Sequence, residues 1–205
     1  MKKAIAVIMV LIMTLTFSTA ALASDTVSVS LGANLYISNG DTQKGWGGDG
    51  VDDTSSGIPF AIFAAATGLV VRVNKTPTGA GIQFIHQHDG DGWNWNQTNL
   101  NVADVFTANE EGEGGTFRFS FAAMDGGNGM GGFRSASQGK IMLGYYDDNI
   151  ADLGIVSASL IGVPKALADD LGVASTGVVT FIGIAALVLA ASGTGAVVVS
   201  RKLKK

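Results

Sequence analysis

Residues 24–163 predict an all-β domain of antiparallel strands stacked as two sheets, and three observations carry that prediction. Short runs alternate apolar and polar residues, as in Leu69-Val70-Val71-Arg72-Val73-Asn74. Clusters of Gly, Asp and Asn separate the runs, as in Gly45–Gly50 and Gly126–Gly132. No stretch of helical length carries an apolar period of 3.6 residues. Evenly spaced short strands with turn residues between them are the mark of sandwiches and barrels.

The runs place strands at 26–31, 33–38, 58–66, 69–74, 81–87, 93–97, 100–105, 116–122, 140–146 and 153–161. So many strands fold as two packed sheets rather than one. A jelly-roll-like antiparallel β-sandwich is the first expectation and an immunoglobulin-like sandwich the second. Side chains alternate across a strand, so each run divides into a core set and an outward set. Leu69, Val71 and Val73 face inward, with Arg72 and Asn74 outward. Phe117, Phe119 and Phe121 face inward, with Arg118 and Ser120 outward. Ile82, Phe84 and His86 share one face, leaving Gln83, Ile85 and Gln87 on the other. In 93–97 the indoles of Trp93 and Trp95 share a face and read as core, with Asn94 and Asn96 opposite. Tyr145 is in register with Ile141 and Leu143 and reads as core.

The two ends of the chain have a different character. Lys2 and Lys3 precede an apolar run from Ala4 to Phe17, and Ala21-Leu22-Ala23 precede Ser24. That order is the order of a cleaved signal peptide, residues 1–23. Residues 164–177 read as a stalk with a candidate sorting motif, in which Lys165–Leu171 is a short polar turn of helix or part of the stalk. Val178–Val199 then gives 22 residues without a charge, enough at about 1.5 Å per residue to span about 30 Å of hydrocarbon as a helix. The basic tail 200–205 carries Arg201, Lys202, Lys204 and Lys205. Because basic residues stay on the cytoplasmic side, residues 24 to 176 face outward. The expected location is the cell surface, with a single transmembrane helix.

Removing both ends changes the charge. Six of the 13 Lys and Arg residues lie there, leaving 7 against all 17 acidic residues and a formal charge of −10. Such a surface repels nucleic acid and anionic lipid. The chain has no cysteine, so the exported domain is stabilised by its core and not by disulfides.

If the outward sets belong to one sheet, its open face carries Arg72, Asn74, Gln83, Gln87, Asn94, Asn96 and Arg118. Amides donate and accept with fixed planar geometry and guanidinium offers a rigid fork of donors, a chemistry that suits sugar hydroxyls. The apolar faces of saccharide rings lie on exposed indole or phenol rings. Trp46, between glycines, and Tyr146 are the candidate platforms. Solvated amides on an ordinary strand face are the plainer reading of the same residues.

His86 and His88 are the only histidines, both on one strand face with Asp89 and Asp91 just beyond. Cupin-type enzymes use a His-x-His pair together with a nearby Glu and a distant third His. Neither is present, and a strand end with partly exposed imidazoles is expected instead. Asp89-Gly90-Asp91-Gly92 begins like a calcium loop, but Trp93 stands at the next ligand position and no Glu follows at the twelfth. Irregular calcium sites at Asp89 and Asp91, at Asp49, Asp52 and Asp53, or at Asp147 and Asp148 stay open, and Gly-Asp turns account for all three groups. No nucleophile elbow, triad pattern or phosphate loop occurs. Glu110, Glu111 and Glu113, the only glutamates, fall in one loop. No enzyme activity and no cofactor are expected.

The order of signal peptide, β-sandwich, stalk, apolar segment and basic tail resembles Gram-positive surface proteins processed by sortase. Val173-Ala174-Ser175-Thr176-Gly177 matches a Leu-Pro-x-Thr-Gly sorting signal at Thr-Gly, and the Leu-Ala-x-Thr-Gly variant also at Ala174. The resemblance implies cleavage between Thr176 and Gly177 and attachment of Thr176 to the wall. The exported domain looks like a carbohydrate-binding module in its strand pattern and its Trp and Asn content. The implied function is non-catalytic binding of a polysaccharide or surface glycan. The alternatives are an adhesive or structural protein recognising a protein partner and a cupin-like metalloenzyme.

Overall fold

Alternation in Thr26-Val27-Ser28-Val29-Ser30-Leu31 puts three aliphatic side chains on one side of the first strand, and all three are buried. The computed structural model describes residues 25–32, 36–38, 43–124, 127, 129–145 and 150–179. The expected signal peptide, the basic tail and all of the apolar segment beyond Val179 lie outside these residues. Among the described residues, no helix is long and apolar enough to cross a membrane.

The strands are β1 (Thr26–Gly32), β2 (Tyr36–Ser38), β3 (Gln43–Gly47), β4 (Gly68–Val73), β5 (Gly81–His88), β6 (Asn96–Asn101), β7 (Phe106–Ala108), β8 (Gly115–Ser120), β9 (Gly139–Tyr145), β10 (Ile155–Pro164) and β11 (Ser175–Val179). Short helices are α1 (Phe60–Ala65), α2 (Val102–Val105), α3 (Gly131–Ser135) and α4 (Lys165–Asp170). One sheet runs β11-β1-β10-β4-β8-β7 and the other β2-β3-β9-β5-β6. The pairings are antiparallel, so the molecule is an all-β protein of two sheets.

The alternation read in sequence sets the core. Leu69, Val71, Val73, Phe117 and Phe119 enter it from the first sheet, with Phe121 just past β8; Ile82, Phe84, Ile141, Leu143 and Tyr145 enter from the second. Phe84 meets Phe119 at 5.6 Å and Phe121 at 5.7 Å between ring centroids, joining the layers. Each such ring removed from water contributes roughly 1.5–3 kcal/mol.

Several elements differ from the sequence reading. Residues 58–66 form a helical turn rather than a strand. Pro59 supplies a φ of −54° at its start, and Phe60 and Phe63, three apart, bury one face with rings 6.4 Å apart. Alternating Phe60 and Ile62 also fit a strand, and the alanines favour the helix.

Residues 45–47, read as a loop, lie in β3, paired with β9. Gly45 is there for close approach, not for a turn: a Cβ on it would lie 2.7 Å from Met142 Cγ. The strand expected at 93–97 begins only at Asn96, and the one expected at 100–105 ends as α2.

The short turn of helix expected at Lys165–Leu171 is present, and the rest of 164–177, expected as a stalk, adds a further strand. α4 follows β10 directly, and β11 adds to the edge of β1, with the Thr176 hydroxyl donating to the Ser28 carbonyl at 3.3 Å.

Candidate functional site

The expected single polar face does not form. Arg72 and Arg118 lie on β4 and β8 in one sheet, whereas Gln83 and Gln87 lie on β5 in the other. Asn74 is exposed just past β4, beside the former pair. Asn94 sits in the β5–β6 hairpin loop, its Nδ2 donating to Asp91 O at 2.7 Å. Asn96 pairs with inward-facing His86 and donates from Nδ2 to Asp91 Oδ2 at 2.7 Å. Long-range strand pairing divides the set, because alternation fixes the face of a strand and not its neighbours.

Trp46 is not an exposed platform. It is 0% exposed on β3, and its indole N–H has no hydrogen-bond partner among the described residues. Cross-strand pairing with Ile141, another core residue, turns the indole inward. Tyr146 lies outside the described residues.

A different set of side chains does share one face, the outer face of β9, β5 and β6, with polar residues arranged around a buried apolar pair, Ile85 and Met142. Phe84 and His86 point inward, so Gln83, Ile85 and Gln87 lie on the opposite side of the strand, where the two glutamines are half-buried and Ile85 is fully covered. Their cross-strand partners are Asn99 and Gln97 on β6, and Gly144, Met142 and Lys140 on β9. Trp95, two residues before Gln97, is 46% exposed. Its indole N–H donates to Gln97 Oε1 at 2.9 Å, and Gln97 Nε2 donates to Asn99 Oδ1 at 2.6 Å. An exposed ring thus stands at the end of a chain of oriented amides.

One end of this face deepens into a pocket of about 270 Å³ lined by Val51, Asp52, Gln87, Trp93, Gln138 and Lys140. Lys140 Nζ donates to Asp52 Oδ2 at 2.8 Å. Partial burial opposes the Asp52 charge, but hydrogen bonds from Lys140 and from the Thr54 backbone outweigh it and hold the carboxyl below its ordinary range. Gln87 Nε2 donates to the Trp93 carbonyl at 2.7 Å, and Trp93 N donates to His88 O at 2.8 Å, closing the hairpin.

Two of the three non-glycine residues with positive φ among the described residues line this pocket: Trp93 at +65° and Asp52 at +34°. Left-handed backbone at a bulky residue costs on the order of 1–3 kcal/mol and concentrates at functional sites.

The wall formed by Gln138 is held from below. Asp89 accepts from the backbone N–H of Ser137 at 3.0 Å, from that of Gln138 at 3.1 Å and from the Ser137 hydroxyl. These bonds hold its carboxyl below the ordinary carboxylate range, the Ser137 hydroxyl contributing most. Asp91 has its two oxygens occupied by Asn94 N at 3.2 Å and by Asn96 Nδ2. Both carboxylates of the calcium-like run therefore serve as turn caps. Asp53's side chain, Asp147 and Asp148 lie outside the described residues.

His86 and His88, expected to be partly exposed, are buried at 3% and 4%. Their rings stack 5.9 Å apart, and Phe133 of α3 meets both edge-on. His88 Nε2 lies 3.3 Å from Asp91 Oδ2. Among the described residues no three His, Cys, Asp or Glu side chains are gathered to hold a metal.

No protein family, curated protein or solved structure matches the chain.

Sequence reasoning did not pick out Trp93, Trp95, Gln97, Asn99, Gln138 and Lys140 as candidates for this face and pocket. A usable signal was present: Trp95, Gln97, Asn99 and Asn101 alternate, and Asp89-Gly90-Asp91-Gly92 is a hairpin turn that shifts the strand start past both indoles.

Proposed function

We propose that the chain is a surface-tethered module that binds a polysaccharide without catalysis, on the outer face of β9, β5 and β6. The observation that carries this reading is the pocket in which Trp93 and Asp52 hold left-handed backbone beside Gln87, Gln138 and Lys140. It opens onto a face where Trp95 leads a row of amides. An indole covers the apolar side of a sugar ring while neighbouring amides, Lys140 and Asp52 meet its hydroxyls.

The site holds oriented donors and acceptors but no nucleophile–base pair. The carboxylate in the pocket is already tied to Lys140. Binding is the chemistry such a set performs.

The strand order supports the jelly-roll form of the sandwich. Leaving aside the edge strands β2, β7 and β11, the sheets read β1-β10-β4-β8 and β3-β9-β5-β6. That nested order, with first and last strands adjacent, is the jelly-roll order. The proposed tether is the apolar segment 178–199 with its basic tail, following export through residues 1–23.

A glycan array probed with the full chain tests the reading. Binding to at least one polysaccharide class is expected, weakened about tenfold or more by Trp95→Ala, which corresponds to about 1.4 kcal/mol. Trp95 is half exposed, so thermal unfolding of that variant should match the wild type. An array blank with and without calcium sinks the proposal.

A further inference from the structure

The last strand of the second sheet, β6, carries a message independent of the glycan reading. Its pairing with β5 is unbroken from Gly81↔Asn101 to His86↔Asn96, with no bulge. The Val102 N–H donates to the Ala80 carbonyl at 2.8 Å, continuing that ladder by one step. In an antiparallel pair, residues alternate between exchanging hydrogen bonds with the neighbour and pointing them away. Val102, Leu100, Thr98 and Asn96 therefore face β5. Gln97, Asn99 and Asn101 direct their backbone N–H and C=O groups to the open edge.

Natural sheets protect such edges with very short strands, lysine, proline or bulges. Two other end strands here, β2 and β7, are three residues long. The sequence of β6 is Asn-Gln-Thr-Asn-Leu-Asn, six residues with no charge and no proline. In a domain whose exported part has a formal charge of −10, this strand carries no charge of its own, and the nearest carboxylate past its end, Asp104, accepts from Asn101 Nδ2 at 3.1 Å, so a second copy meets less like-charge repulsion here than on the rest of the surface.

We propose that β6 pairs antiparallel with β6 of a second copy about a two-fold axis at Asn99. In that register Asn99 lies opposite the partner's Asn99, and Gln97 lies opposite the partner's Asn101. The three residues with outward backbone groups then meet three of the same kind, exchanging about six backbone hydrogen bonds. Their side chains all stand on the outer face, so amide meets amide at every pair. The row from Trp95 through Gln97 ends at Asn99, whose Nδ2 has no acceptor among the described residues and donates across the axis. The two outer faces become one continuous surface. A contact one strand long falls short of the roughly 1,000 Å² that stable interfaces bury, so pairing is weak in dilute solution and favoured where copies are concentrated.

The chain has no cysteine, which makes single-cysteine variants of the full chain clean reporters. Paired Cα atoms about 5.5 Å apart are within disulfide reach, whereas positions 97 and 97 of the two copies are offset by four residues, about 13 Å. Under mild oxidation at high protein concentration, Asn99→Cys should form a covalent dimer at least tenfold faster than Gln97→Cys or Asn101→Cys alone. An equimolar mixture of Gln97→Cys and Asn101→Cys should give the mixed dimer. Absence of the Asn99→Cys dimer overturns the proposal, as do equal rates at all three positions or linkage mainly to a different protein. As a second readout, Asn99→Pro should abolish the concentration-dependent rise in mass seen by light scattering. Its missing N–H points away from β5, so the fold is spared. If this variant loses thermal stability, Asn99→Lys reads the same loss through charge repulsion, and dimers persisting in both variants refute the pairing.

Discussion

Asp89 accepts three hydrogen bonds from Ser137 and Gln138, and through them one carboxylate ties the β5–β6 hairpin to the segment that enters β9. Its folded pKa lies below the unfolded value, which is about 3.9 for an aspartate. A depressed carboxylate contributes stability that is fully present above the unfolded value and is lost as pH falls through the folded one. The thermal midpoint should therefore drop from about pH 4 downward. Asp52 and Asp91 are shifted in the same direction and act in the same window. For Asp91, burial works against ionisation, and the Asn96 amide and the nearby His88 overcome it. Asp89→Asn should lower the midpoint at pH 7 and shrink, without abolishing, the acid-side drop, as read from midpoints of both proteins between pH 3 and 7. Nothing local in the sequence marks Asp89 for this role, since its partners lie 48 and 49 residues away. The same limit explains the tryptophans. Glycines around Trp46 look like turn punctuation, yet Gly45 is small because Met142 lies against it. Trp95 looks like core because it follows Trp93 at strand spacing, but the hairpin loop extends past it.

At the level of elements, α1 and α3 cap one end of the core through aromatic rings. Phe133 is fully buried, edge-on to Phe60 at 5.0 Å and to both imidazoles. Phe133→Ala should cost about 3–5 kcal/mol, the range for emptying a buried aromatic site, read from denaturant midpoints. Gly139 admits the two rings: a Cβ there would lie 2.8 Å from both Phe133 and Phe60. Gly139→Ala should cost about 1–3 kcal/mol by overpacking. If Gly139→Ala proved neutral, the close packing of this cap would be wrong. Strands with clean alternation, β1, β4, β5 and β8, were legible to within about a residue or two at their ends. Residues 58–66 were not, because Phe60, Ile62 and Phe63 satisfy both periods. Burial against α3, 70 residues further along, decides for the helix.

On the scale of the whole molecule, two antiparallel sheets followed from strand number and turn spacing, but the composition of the proposed binding face did not. Its assembly needs β5 between β6 and β9, while β4 beside β8 puts Arg72 and Arg118 in the other sheet, and both pairings are set by the global topology. Topology also bears on the C-terminal end. Thr176 and Gly177 lie inside β11, hydrogen-bonded alongside β1, with the Thr176 hydroxyl on Ser28 O. A transpeptidase threads an extended, unpaired chain through its active site, so cutting between Thr176 and Gly177 requires β11 to leave the sheet first. Peeling an edge strand is a local opening, less costly than global unfolding but unfavourable in the folded state. Most of the protein should therefore retain the tail. Mass spectrometry of C-terminal peptides from the mature protein should recover Arg201–Lys205, and a population ending at Thr176 joined to wall material would show instead that β11 detaches before processing.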